Sequence, residues 1–106
     1  MYYGYIQMGL GKFKGFQWDK GNDVKNWISH EVSKIETEQV FFNEPLLLYY
    51  DERHSLCEER YYVLGSTDDG RKLMIVFVER EKLIRVISAR DTSKKEREVY
   101  EKNTKI

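Results

Sequence analysis

The sequence is short of the residues that build the commonest small-protein sites. Cysteine occurs once, at Cys57, which excludes an internal disulfide and a cysteine-rich zinc centre. The only histidines are His30 and His54. Two so far apart form no metal-ligand spacing, so neither a metal nor a cofactor is expected. Charge of one sign is not in excess: 18 basic residues face 18 acidic ones. The balance gives no global pull toward nucleic acid or a membrane surface, and any anion site must be a local cluster. No apolar run approaches the roughly 20 residues that a membrane helix needs. The start of the chain has no basic segment followed by an apolar core, so no signal peptide is read and a cytoplasmic protein is expected.

What is present suits one small soluble domain: 106 residues, 41% apolar and 34% charged, enough for one modest core. Residues 1–15 carry Gly4, Gly9, Gly11 and Gly15 among tyrosines, a composition that opposes regular structure. They are read as a flexible or loosely docked arm before a single domain at 16–106. Phe16 and Trp18 alternate as in a short strand. Asp19 can cap a helix in which Val24, Trp27 and Ile28 recur at helical spacing, with Trp18 and Trp27 in the core. Ser33-Lys-Ile-Glu36 has capping-box spacing and opens a second helix, which Asn43-Glu44-Pro45 ends because the residue before proline disfavours helix.

Strands follow at Leu46–Tyr50, Arg60–Ser66, Leu73–Val78 and Leu83–Arg90, with a polar loop over Asp51–Glu59 and a hairpin signal at Asp69-Gly70. Short connections make them a four-stranded antiparallel meander. Ser93-Lys-Lys-Glu96 starts a polar last helix anchored only by Val99 and Tyr100. The class is α+β, with the early helices on one sheet face and the other partly open. Leu83–Arg90 is apolar on both parities, as in a strand inside a sheet. By alternation Arg85 shares a face with Ile87, and Arg90 points the other way.

The order of these motifs resembles a known family. Phe16-x-Trp18-Asp19, Asn26, His30, Val32-Ser33, Glu36 and Val40-Phe41 come first. Glu59-Arg60, Gly65, Val76-Phe77, Arg85-x-Ile87-Ser88-Ala89-Arg90 and Glu96-Arg97-x-x-Tyr100 follow. The set, from Phe16 to Tyr100, is similar to the BrnT toxins of type II toxin–antitoxin systems. The resemblance implies a RelE-like fold and a metal-independent endoribonuclease that cleaves mRNA. It also implies a cognate BrnA-type antitoxin that neutralises the toxin and brings the pair to promoter DNA. The chain departs from the family's usual Lys-His-Gly-Val, reading Ser29-His30-Glu31-Val32. Glycine after a helix takes a left-handed backbone, and Glu31 would be strained there.

Metal-free RNA cleavage needs positive charge around the phosphorus and a group that moves protons. Arginine suits the first need, since its planar fork binds phosphate oxygens and stays charged. Histidine suits the second. The candidates are Arg60, Arg85 and Arg90 with His30, and Arg53 and His54 in the polar loop as RNA contacts. Arg60 and Arg90 fall at opposite ends of a meander, so Arg60 with Arg85 is the preferred pair. Glu59, Glu96 and Tyr100 are weaker proton-transfer candidates. Ion pairs with neighbouring glutamates are an equal alternative for each arginine. The chain would then be a non-catalytic, toxin-like module that binds an antitoxin.

Overall fold

The structure, a computed structural model, describes residues 2–5, 13–54 and 57–104. In chain order the elements are β1 (Tyr2–Tyr5), β2 (Gly15–Phe16), α1 (Lys25–His30), α2 (Lys34–Phe42) and β3 (Leu47–Tyr50), then a 3₁₀ turn at Glu52–His54. They continue with β4 (Arg60–Ser66), β5 (Lys72–Arg80), β6 (Leu83–Asp91) and α3 (Lys94–Thr104). The strands form one mixed sheet in the order β1-β3-β4-β5-β6-β2. Each neighbouring pair from β3 to β6 is antiparallel, whereas β2 lies parallel to β6 on its outer edge. Residues 2–5 of the expected arm pair with β3, and 6–12 lie outside the described residues.

Alternation sorts the strand residues onto two cores. Tyr61, Val63, Leu73, Ile75, Phe77, Ile84 and Val86 pack with Val32, Val40, Phe41 and Leu46 on one face. Leu47, Tyr49 and Leu64 pack with Tyr100 and Val99 of α3 on the other. Each fully buried aliphatic or aromatic side chain contributes about 1.5–3 kcal/mol. Gly65 lets α2 approach the sheet: a Cβ there would lie 2.8 Å from Val40 Cγ1 and 3.0 Å from Leu46 Cδ1, inside contact distance. The second helix begins as its spacing predicts. Ser33 Oγ accepts from Glu36 N, and the Glu36 carboxylate accepts from Ser33 N.

The first helix departs from its pattern. Asp19 does not cap it; a turn intervenes, and the helix begins at Lys25 with no side-chain cap. Its apolar residues face outward, with Val24 and Trp27 each 57% exposed and Ile28 77% exposed. Trp27 is therefore not core, whereas Trp18 is partly buried and donates its Nε1 proton to Glu38 at 2.7 Å. The reason lies on the sheet side. β2 covers only the first two residues of β6, so backbone groups further along that edge need partners. Asn22 Nδ2 donates to Val86 O at 3.1 Å, Asn26 Oδ1 accepts from Ala89 N at 2.9 Å, and Lys25 Nζ donates to Ile87 O at 3.0 Å. Polar side chains thus turn inward to complete the sheet edge, and the apolar stripe is left outside.

A bulge sits at the same place. Val76 and Phe77 are consecutive on β5, but their partners on β6 are Ser88 and Val86, which leaves Ile87 as an extra residue. A bulge resets the alternation beyond it. Arg85 pairs with Val78 and Arg90 with Met74, positions of the same parity on β5. Arg85 and Arg90 therefore share a face, contrary to the alternation read from sequence.

Candidate active site at the end of the sheet

Arg60 and Arg85 flank one residue. Arg60 pairs with Val78 from one side and Arg85 pairs with it from the other, so the three lie in one row on the α3 side of the sheet. Strand spacing puts the two arginine backbones roughly 10 Å apart. Each guanidinium meets a carboxylate. Arg85 donates to both oxygens of Asp19, at 2.7 and 3.1 Å, and to Gln17 Oε1 at 3.2 Å. The Arg85 hydrogen bond, helped by the Gly21 N–H, holds the Asp19 carboxyl below the usual range. Arg60 Nε stands 3.7 Å from Asp51 Oδ2.

Arg90 stands four β5 residues away from that row, roughly 13 Å along the strand, too far to share one phosphate with it. Instead it joins His30. Ser29, His30, Glu31, Arg71, Arg90 and Asp91 line an open cleft of about 440 Å³ where α1 ends beside the end of β6. Glu31 occupies the left-handed backbone position expected there, with φ 54 and ψ 38.

Arg71 ties this corner together, and sequence reading passed over it. Its Nε and Nη2 clasp Asp91 at 2.6 and 3.1 Å. Its Nη1 reaches Glu31 O at 3.0 Å and Glu36 Oε2 at 3.1 Å, and its Nη2 also reaches His30 O at 3.3 Å. These bonds engage all five N–H donors of a guanidinium. The carboxylates respond in kind. The Arg71 hydrogen bond holds Asp91 below its usual range. Burial pushes Glu36 up but is outweighed by the Ser33 N–H and Arg71, and the net shift is downward. Only the turn signal just before Arg71 was visible in the sequence; its partners lie 20 to 41 positions away.

Arg90 is engaged differently. Its Nη1 and Nη2 form a fork with Glu96 of α3, each at 2.9 Å, and Nη1 also donates to Asp91 O at 3.0 Å. Glu96 is held below its usual range, first by the Arg90 bond and further by the Ser93 N–H, against the effect of burial. It is also the third residue of the capping box that starts α3, accepting from Ser93 N at 2.8 Å. Tyr100, the weak candidate beside it, is buried and donates to Pro45 O at 2.7 Å, which marks it as the anchor of α3.

Arg53 is exposed on the 3₁₀ turn; His54 closes that turn, and its side chain lies outside the described residues. Among the described residues no three metal-ligating side chains cluster, and no helix is long and apolar enough to cross a membrane.

The domain is α+β, with Arg60 and Arg85 in one row of the sheet and Arg90, Arg71 and His30 around a cleft farther along it. The family model described as the ribonuclease toxin BrnT of type II toxin–antitoxin systems matches residues 18–96, and the chain belongs to that family. The matched span runs from the Asp19 turn to the first turn of α3 and includes His30, Arg71, Arg90 and Glu96. A toxin of this type has an antitoxin partner. No curated protein matches the chain.

Proposed function

We propose that this toxin is a metal-independent endoribonuclease that cleaves mRNA at the His30–Arg90 cleft, in a RelE-like arrangement. One observation carries the reading: His30 from the end of α1 and Arg90 from the end of β6 line the same open cleft. The 2′-oxygen of the RNA attacks the neighbouring phosphorus, and its proton leaves to solvent. The bond to the 5′-oxygen breaks, and a protonated His30 supplies that oxygen's proton. Arg90 donates to the phosphate oxygens as charge builds on them, the kind of preoriented donor that often supplies the largest catalytic effect. Arg60 and Arg85 hold flanking phosphates along the same sheet face, and Arg53 and His54 of the polar loop are further RNA contacts in this reading. A BrnA-type antitoxin neutralises the toxin in the cytoplasm and brings the pair to its promoter DNA. The exposed apolar residues Trp27 and Ile28 of α1 suit that protein partner.

One feature favours a second reading, a non-catalytic module retained for antitoxin binding. Arg60, Arg85 and Arg90 each already face a carboxylate, which offsets the positive charge they offer a phosphate. Expression of the chain alone in bacteria separates the two. The nuclease reading expects growth arrest and cut mRNA, both relieved by Arg90→Ala. Normal growth with soluble toxin and intact RNA would overturn it and leave the binding module.

A further inference from the structure

A second cleft, of about 350 Å³, lies between α3 and the sheet, lined by Tyr62, Leu64 and Met74 of the sheet and by Lys95, Glu96 and Val99 of α3. It opens on the face that carries Arg60, Arg85 and Arg90. We propose that this cleft is a nucleobase subsite, seating one base of the RNA strand whose phosphate lies on Arg90; the inference rests on the nuclease reading above.

Three observations support it. First, Tyr62 presents a fixed aromatic plane. Its ring stacks on Tyr49 at 4.8 Å with 10° between the planes, so little freedom is lost when a base stacks on it. Half-buried Met74 adds a polarizable surface that adapts to flat ligands. Second, the two clefts share a wall. Glu96 lines the tyrosine cleft and grips Arg90, which lines the His30 cleft. A nucleotide joins a flat base to an anionic phosphate, and this wall joins an apolar slot to a guanidinium in the same way. Third, the charge fits. Exposed Lys95 also lines the cleft and brings positive charge to a ligand that carries phosphate. An apolar side chain of a protein partner would need neither the guanidinium nor the lysine.

The test uses a labelled single-stranded RNA with 2′-O-methyl groups, which binds but cannot be cut, and follows anisotropy over a salt series. Tyr62→Leu keeps apolar bulk and removes the π face. It should weaken binding by roughly 5- to 100-fold, the range for loss of one base stack, with the salt dependence unchanged. Arg90→Ala should also weaken binding and lower the salt slope by about one. If Tyr62→Leu binds like the parent while Arg90→Ala is weakened, the base lies elsewhere and this proposal fails, leaving the nuclease reading intact. If neither variant is weakened, both fail. Impaired antitoxin binding by Tyr62→Leu with RNA binding unchanged would assign the cleft to the protein partner and overturn the proposal. The unmutated chain provides a measurement free of folding effects: 4-thiouridine RNA should photocrosslink to the β4 or β5 segment bearing Tyr62 or Met74. Adducts found only outside the cleft would overturn the assignment.

Discussion

The β4–β5 turn and the end of β6 each bring an arginine to the same cleft, and the fold uses them differently. Arg71 has all five donors engaged by Asp91, Glu36 and the carbonyls of His30 and Glu31. Arg90 has three bonds, two to Glu96 and one to Asp91 O, which leaves two N–H groups beyond those bonds. A guanidinium with every donor engaged cannot take a phosphate without dismantling its surroundings. One with donors in reserve can add a phosphate oxygen while the fold persists. The comparison separates a residue whose donors are all spent on building the cleft from one that, in the proposed nuclease, is offered to the phosphate, a distinction that charge alone does not make.

The largest expected effect follows from this difference. Arg90→Ala should lower RNA cleavage by about 10²–10³-fold, the usual loss for one preoriented donor at developing charge. Its urea midpoint should fall less than that of an Arg71 variant, because Arg90 has fewer bonds and Tyr100 and Val99 still anchor α3. Cleavage assays on the purified toxin with parallel urea titrations would measure both. A variant that unfolds easily but cuts well when folded would reverse the roles given to the two arginines.

Arg71→Met should do the opposite. It removes charge-assisted bonds that tie α1, α2, the β4–β5 turn and β6 together, and it leaves Glu36 and Asp91 without their cation. The expected loss is about 2–4 kcal/mol, since hydrogen bonds to charged groups contribute about 1.5–3 kcal/mol each and are not additive. Equilibrium urea unfolding measures it. Cleavage per folded molecule should fall less than in Arg90→Ala, and a fall of equal size would mean that Arg71 also contacts the substrate.

Acid should expose the same clamp. Asp91 is held below its usual range by the Arg71 bond, so its folded pKa lies under its unfolded one. A group of this kind contributes stability above the unfolded pKa and loses it as pH falls through the folded pKa. The urea midpoint should therefore drop as pH is lowered below roughly 4, near the ordinary aspartate value. In Arg71→Met the drop should be shallower, because Asp91 loses the largest cause of its lowered value. Equal slopes in the two proteins would show that Arg71 does not hold Asp91 in solution.

How much of this was legible in the chain depends on the range of the interaction. Local signals read well: the Ser33 and Ser93 capping boxes, the Asp69-Gly70 turn and the stop before Pro45 each involve residues a few positions apart. The β5–β6 turn was harder, because Glu81 and Lys82 both adopt positive φ without the Asn-Gly signature of such turns. Long-range polar bonds were invisible. Nothing near Asn22 or Asn26 in sequence says that they complete the edge of a strand more than 60 residues away. That is why helical spacing places Trp27 in the core and the fold does not. The Ile87 bulge was hidden for a related reason: alternation cannot register an extra residue, so Arg90 was assigned to the wrong face. Residue chemistry and family spacing point to His30 and Arg90 individually. Their meeting depends on Arg71, whose ties lie across the fold.

Glu31 gives the smallest and cleanest test of the corner between the two arginines. It sits at the end of α1 in the left-handed region, φ 54, where a side chain is disfavoured by about 1–2 kcal/mol and glycine is not. Its backbone has clear duties: its N–H bonds Trp27 O at 3.0 Å, and its carbonyl accepts from Arg71. Its side chain is exposed. Glu31→Gly should therefore keep both bonds and relieve the strain. Part of the gain is offset by the extra freedom of glycine in the unfolded chain. The net expectation is a stabilisation of about 0.5–1 kcal/mol by urea titration, with the Arg71 clamp undisturbed. Cleavage should rise modestly, since the substitution removes a negative charge from the lining of the cleft proposed to receive phosphate. A loss of stability would mean that the Glu31 side chain, and not only its backbone, holds the end of α1 in place.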